Sequence, residues 1–318
     1  MGVYTFSSNT TGSHNTAIGR GALGNNTTGD YNTAVGKSAL ETNNANNNVA
    51  VGYQSQIANT SGTKNNSLGV YALDSNTTGS NNTALGYETL GGNTTADSNT
   101  AVGSYALKGV TTSSDNTAVG YEAGAENTTA SGTVAIGYGA ANKNETGAGR
   151  VAIGYRATRY GTGHDYCTAV GYEALQGVNG YNNADNNTAI GYQALKADNS
   201  GASNTAVGAV ALTANTTGSY NVAVGRMTLD ANTTGASNTA LGTQALSENT
   251  TADANTAVGM SCLHVNTTGT ANTAVGAYAL DANTTASNCT AVGHNALTAN
   301  VDTSSNTAIG SNTLTVNT

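Results

Sequence analysis

Asn204-Thr205-Ala206-Val207-Gly208-Ala209-Val210-Ala211-Leu212-Thr213-Ala214-Asn215-Thr216-Thr217-Gly218-Ser219-Tyr220 is followed at once by Asn221-Val222-Ala223-Val224-Gly225, the same order of residue types begun again. Outward from this stretch the apolar-Gly pair recurs 18 times, with its Gly at 19, 36, 52, 69, 86, 103, 120, 137, 154, 171, 191, 208, 225, 242, 259, 276, 293 and 310. The spacing is 17 residues, except for 16 between Gly36 and Gly52 and 20 between Gly171 and Gly191. A fixed period of this size marks stacked repeats, each burying a thin strip against its neighbours.

Composition agrees with a stack and argues against a ball. The 318 residues contain no Pro, no Trp, one Phe (Phe6) and 41 Gly, too little bulky apolar volume for a compact core of that length. Only 9% of residues are charged, unlike the charge-rich or Pro-rich chains that stay disordered. A formal net charge of −8 provides no basic stripe, so nucleic acid is not an expected partner. No run approaches the roughly 20 apolar residues that span a bilayer, so no membrane insertion is expected. The stretch from Met1 to Phe6 lacks the basic and apolar regions of a signal peptide, and Phe6 breaks the myristoylation pattern. Repeats start almost at once and break off at Asn317-Thr318, which reads as a segment cut from a longer protein.

Down the columns, the residue before the Gly is always Val, Ile or Leu, and two before it stands Ala in every repeat except at Ser67. Four after it stands Leu in 14 of the 18 repeats. Two columns of large aliphatics beside two of small residues predict a narrow interior holding both large columns. Each apolar cluster is short and closed by Gly and Asn, which favours strands and turns over helix. The fold expected is all-β, a parallel β-solenoid of about 18 coils, with residues 1–8 as a lead-in, 9–318 as a single repeat domain and irregular coils at about 120–191. At a strand spacing of about 4.8 Å, such a stack is a rod of about 85 Å.

Asn recurs four before the Gly (Asn15, Asn32, Asn82, Asn204, Asn306) and again at the start of Asn-Thr-Thr (Asn26, Asn76, Asn215, Asn283). Asn tolerates left-handed turns and identical amides stack, so both columns are read as structural ladders, against the alternative of ligand-binding amides. Between Gly120 and Gly191 the Leu column reads Gly124, Ala141 and Thr158 before Leu175, and Lys143, Arg150, Arg156, Arg159 and His164 gather there. That segment, with the enlarged loop around Gly177-Val178-Asn179-Gly180-Tyr181, is either a local change of cross-section or a binding feature.

Cys167, Cys262 and Cys289 are spaced too far apart along the stack to bridge, so free thiols are expected. His14, His164, His264 and His294 fall in different columns, with no metal-site spacing. Glu88, Glu122 and Glu173 share the column two after the Gly, whose freedom of residue type predicts a solvated face. Tyr recurs just after the Gly, and Tyr121, Tyr138, Tyr155 and Tyr172 occupy consecutive coils; with Tyr181 they are the candidate ligand surface. No set of nucleophile, base and oxyanion donor can be assembled, so neither catalysis nor any cofactor or metal is expected.

Val134-Ala135-Ile136-Gly137-Tyr138-Gly139-Ala140 and Val151-Ala152-Ile153-Gly154-Tyr155-Arg156-Ala157 resemble the head repeats of trimeric autotransporter adhesins. The fuller Asn-Thr-Ala-Val-Gly-x-x-Ala-Leu unit with Asn-Thr-Thr-Gly resembles repeats of phage tail-fibre proteins. The resemblance implies a left-handed β-roll, a side-by-side homotrimer, and an adhesive surface for a host cell or glycan, on a virion tail fibre or at the cell surface. Two other readings stand beside it. An uncharged Thr-rich face could order water as an ice-binding solenoid does, although the adjacent Thr27-Thr28 and Thr216-Thr217 should point opposite ways. The repeated Asn-Thr-Thr is also an acceptor sequon, as in a glycosylated extracellular filament.

Overall fold

The computed structural model describes residues 2–178 and 184–315. The chain is a β-solenoid of eighteen three-residue strands, one per repeat, running from β1 (Thr16–Ile18) through β9 (Val151–Ile153) and β10 (Thr168–Val170) to β18 (Thr307–Ile309). No helix occurs among the described residues. The chain divides into two compact units, Met1–Arg156 carrying β1 to β9 and Ala157–Thr318 carrying β10 to β18. Within each unit successive strands pair parallel and in register, so that Ala17 lies opposite Ala34 and Ala206 opposite Ala223. The period of the sequence thereby becomes columns in space.

Both irregular spacings leave the register intact, with Thr33 opposite Val49 and Thr168 opposite Thr188. The short coil loses its residue in the turn after Asn43, whose Nδ2 donates to the carbonyl of Ala45, two residues on, where Asn26 reaches Gly29, three on. Turns absorb length changes because their backbone is not part of the strand ladder. At the other end, the coil pattern reaches back to Gly2: Phe6 N donates to Ala22 O at 2.9 Å and packs on the first core cluster, in the place that Leu23 takes one coil later.

The interior differs from the expectation. Side chains alternate across a strand. In Thr-Ala-Val the central Ala points in, buried in almost every coil, so the Thr and the aliphatic both point out. Ile18, Leu85, Ile190, Leu241 and Val275 are exposed, which corrects the prediction that both large aliphatic columns lie inside. The core is built instead from the Ala of the strand, the Ala-Leu pair that follows it, and the two Asn columns, all buried. Where the Leu column is vacated by Gly124 and Ala141, the first unit buries Arg150 in an Asn position; where it is vacated by Thr158, the second buries His164 and Cys167. The irregular segment thus turns large polar side chains inward.

Ala-Leu is a tight turn, with the Leu in the left-handed region: φ is 49° at Leu23 and 51° at Leu212. A bulky residue there is a strained choice. It is held by a bond to the next coil, Leu212 N donating to Thr228 O at 3.0 Å, and by complete burial of the side chain.

The two Asn columns are directional hydrogen-bond ladders. In the first, Asn221 N donates to Asn204 Oδ1 at 2.9 Å, and Asn221 Nδ2 donates forward to Gly235 O at 2.8 Å. In the second, Nδ2 donates back to the Oδ1 one coil earlier, as from Asn215 to Asp198, Asn232 to Asn215 and Asn249 to Asn232, at 3.1, 3.0 and 3.0 Å. Most of the buried amides are satisfied in this way, Asn26 Oδ1 and Asn93 Oδ1 being exceptions.

Asp198 stands in the second Asn column as a carboxyl among amides, one coil after the enlarged loop. An Asn in its place would set Nδ2 against the donating Nδ2 of Asn187, where Oδ2 now accepts. The carboxyl instead accepts from Asn187 Nδ2, Gly201 N and Asn215 Nδ2 at 3.0, 3.1 and 3.1 Å. Burial pushes its pKa up to about 8. A carboxyl raised on folding binds its proton more tightly in the native state, so its contribution to stability is full at low pH and falls as pH rises from about 4 towards about 8. We expect Asp198→Asn to be about 1 kcal/mol less stable than the parent at pH 5, through its orphaned donor. By pH 9 the order should reverse. Urea denaturation at both values checks this, and parallel pH profiles would refute it.

Candidate functional site

Three surfaces carry the functional candidates. The first is the outer strand face, with a Thr column and a Val/Ile/Leu column side by side and no charged residue in either. In the second unit the Thr column is interrupted only by Val222.

The second surface is an aromatic ladder on the turn that leaves each strand. Tyr53, Tyr71, Tyr87, Tyr105, Tyr121, Tyr138 and Tyr155 lie on seven consecutive coils of the first unit, with centroids 5.3–6.2 Å apart. From Tyr53 to Tyr121 the rings meet edge to face, at 81–88°. From Tyr121 to Tyr155 they stack at 15–16°. The cause is positional: stacked rings all follow the repeat Gly directly, whereas Tyr71 and Tyr105 sit one residue later, at left-handed φ of 57° and 62°. Of the expected ligand residues, Tyr121, Tyr138 and Tyr155 belong to this ladder, Tyr172 stacks on Tyr192 at 5.4 Å in the second unit, and Tyr181 lies outside the described residues. Tyr71 and Tyr105 belong to the column two after the Gly, whose freedom of residue type marks a solvated face in the sequence and not an aromatic ladder.

The third surface is a cleft of about 440 Å³ lined by Tyr71, Asp74, Ser75, Glu88, Gly91, Gly92 and Lys108. It exists because Gly91-Gly92 contributes no side chains where the coil before carries Asp74-Ser75. Lys108 Nζ bonds Glu88 Oε2 at 2.6 Å and lies 4.8 Å from the Tyr105 ring centre. That ammonium, together with the Tyr87 hydroxyl, holds Glu88 below the usual carboxylate range. The bond to Glu88 pushes the Tyr87 phenol up to about 12, and burial raises Asp74. A second hollow, of about 450 Å³, lies on the other side of Lys108, lined also by Gly109, Ala125, Glu126, Thr128 and Glu145.

The expected solvated Glu face is partly otherwise. Glu173 is buried and bonded by Lys196 Nζ at 2.7 Å, as Glu88 is by Lys108, each Lys coming from the next coil. The amides of Asn32, Asn82 and Asn204 are buried and those of Asn15 and Asn306 half-buried, so the interior holds them and no ligand surface does. Apart from Asn9, which is half-buried, every Asn of the Asn-Thr-Thr sequons is fully buried, its Nδ2 turned into the ladder; the folded chain presents none of those amides for glycosylation. The three thiols are buried and unbridged, and burial pushes Cys262 up to about 12. No cluster of metal-ligating side chains occurs among the described residues. No family model matches the chain, and a search of the curated proteins finds no match.

Proposed function

We propose that the chain is a structural and adhesive fibre segment, in which identical copies pack through the outer strand face and the turns are left for contact with a host surface or glycan. The supporting observation is the outward column of aliphatics within each unit, exposed at Ile18, Leu68, Leu85 and Ile136 in the first and at Ile190, Leu241 and Val275 in the second, with no charge to keep another copy away. Contiguous apolar surface of this kind marks an association site. Packing three copies side by side covers the face of each. Light scattering of the full chain should give the mass of three chains, and Leu241→Lys with Val275→Lys should reduce it to one without unfolding, because both side chains are already exposed. A monomeric parent protein overturns the trimeric fibre.

A second reading draws on the same face. Thr33 and Val35 point outward from one strand, so the alternation that counts against Thr27-Thr28 does not apply to this column. Thr beside a branched aliphatic, repeated at strand spacing with no charge, is a surface that orders water. Thermal hysteresis from a monomer supports ice binding; its absence eliminates it.

A further inference from the structure

We propose that the cleft beside Tyr71 is a binding site for a neutral, extended saccharide chain lying along the tyrosine ladder. This inference rests on the adhesive reading above and gives it a site and a ligand class. Aromatic rings bind sugars by covering the apolar C–H face of the pyranose, and neighbouring polar groups fix the hydroxyls; such a site is a shallow cleft with an aromatic wall and a few convergent polar side chains. In the stacked run from Tyr121 to Tyr155 the ring faces are spent on one another, leaving edges for a ligand. In the edge-to-face run every second ring is turned by 81–88°, so its face leaves the ladder axis.

At Tyr105 Lys108 lies over the ring. At Tyr71 the corresponding residue three positions on is Asp74, and both line the cleft that Gly91 and Gly92 leave open. The ring therefore adjoins open space beside a carboxylate, and the Glu88–Lys108 pair supplies both an acceptor and a donor. The coil rise of about 4.8 Å is close to the length of one pyranose in an extended β-linked chain, so a chain lying along the ladder advances about one sugar per coil. Charge selects the class. Asp74 and Glu88 in the cleft, with Glu126 and Glu145 in the adjoining hollow, outnumber Lys108 and the Lys143 that pairs with Glu126 at 3.8 Å, so uronates, sialylated and sulfated chains are repelled.

Isothermal titration of the full chain with cellohexaose and chitohexaose, with heparin as the anionic control, tests the site. At least one neutral hexasaccharide should bind and heparin should not. Tyr71→Asn suits the left-handed backbone at that position and should weaken binding about tenfold, as loss of one ring contact worth about 1.4 kcal/mol. Gly91→Gln should abolish binding by filling the cleft: its backbone is not left-handed, and its Cβ would come no nearer than 3.3 Å, to the movable Asp74 Oδ1. Tyr192→Asn, in the other unit, should leave binding unchanged, and circular dichroism of each variant confirms folding. Failure of both neutral ligands, tighter binding of heparin, or indifference to Tyr71→Asn and Gly91→Gln in folded protein overturns the proposal. Light scattering of the same samples separates it from the fibre reading. A three-chain species that ignores both sugars removes the cleft site alone, and a single-chain species that binds one removes the trimeric fibre alone.

Discussion

Gly208→Ala is expected to destabilise the second unit by about 4 kcal/mol or more, in the range that only a few mechanisms reach. Gly208 has φ +136°, a region that L side chains rarely enter. A Cβ there would lie 2.3 Å from Gly225 O and 2.6 Å from Gly225 C. Neither atom can yield, because Gly225 N donates to Val207 O at 2.8 Å and Thr205 N to Asn221 O at 2.8 Å, fixing the two coils at their spacing. The Gly column is what lets the chain leave each strand beneath the next coil. Gly21→Asn is the matching control. Gly21 is also left-handed, at φ +70°, but the nearest atom to its Cβ would be Ser38 Oγ at 3.5 Å, and the same column holds Ser38 and Gln54 at φ 58° and 54°. That change should cost less than about 1 kcal/mol. Urea unfolding followed by circular dichroism measures both, and equal losses would show that φ alone, and not the approach of the next coil, sets the requirement for Gly.

These two glycines mark where sequence reading succeeds. The repeat Gly fixes the number of strands, their parallel order and their register, since a constant spacing admits only one way of stacking. It says nothing of which residues face inward. Size and aliphatic character point Val207 to the core, whereas Ala206 holds the inward position and the volume is filled by Asn204, Asn215 and Leu212. Hydrogen-bonded amides can replace aliphatic bulk, and composition does not distinguish an Asn in a surface turn from an Asn in a ladder. The cleft was hidden for a similar reason: it depends on what Gly91 and Gly92 lack, and on Tyr71 and Tyr87, which come from different columns yet have their ring centres 6.2 Å apart. A column-by-column reading separates residues that a turn brings together.

The ladders make a further prediction that depends on their direction. Asn232→Leu, close in volume and fully buried, removes the bonds from Nδ2 to Asn215 Oδ1 and Gly235 O, each 3.0 Å, and the acceptor for Asn249 Nδ2. Asn249 keeps Ala252 O at 3.1 Å and Gly235 O keeps Asn221 Nδ2, so the chief loss is the stranded oxygen of Asn215. The expected cost is about 3 kcal/mol, against less than about 0.5 kcal/mol for Thr234→Ala on the exposed turn two residues away. Asn232→Asp should be worse at neutral pH, although it is isosteric and repeats the residue found at Asp198. An oxygen in place of Nδ2 at position 232 faces two acceptors, whereas the carboxyl of Asp198 receives three N–H groups. Its carboxyl would fold only with its proton on, to donate to one of those oxygens. Stability of Asn232→Asp should therefore fall steadily as pH rises above about 4, by the same linkage that governs a carboxyl raised on folding. If Asn232→Asp were as stable as the parent at pH 8, the ladder would have no direction, and the three donors around Asp198 would not distinguish its site from that of Asn232.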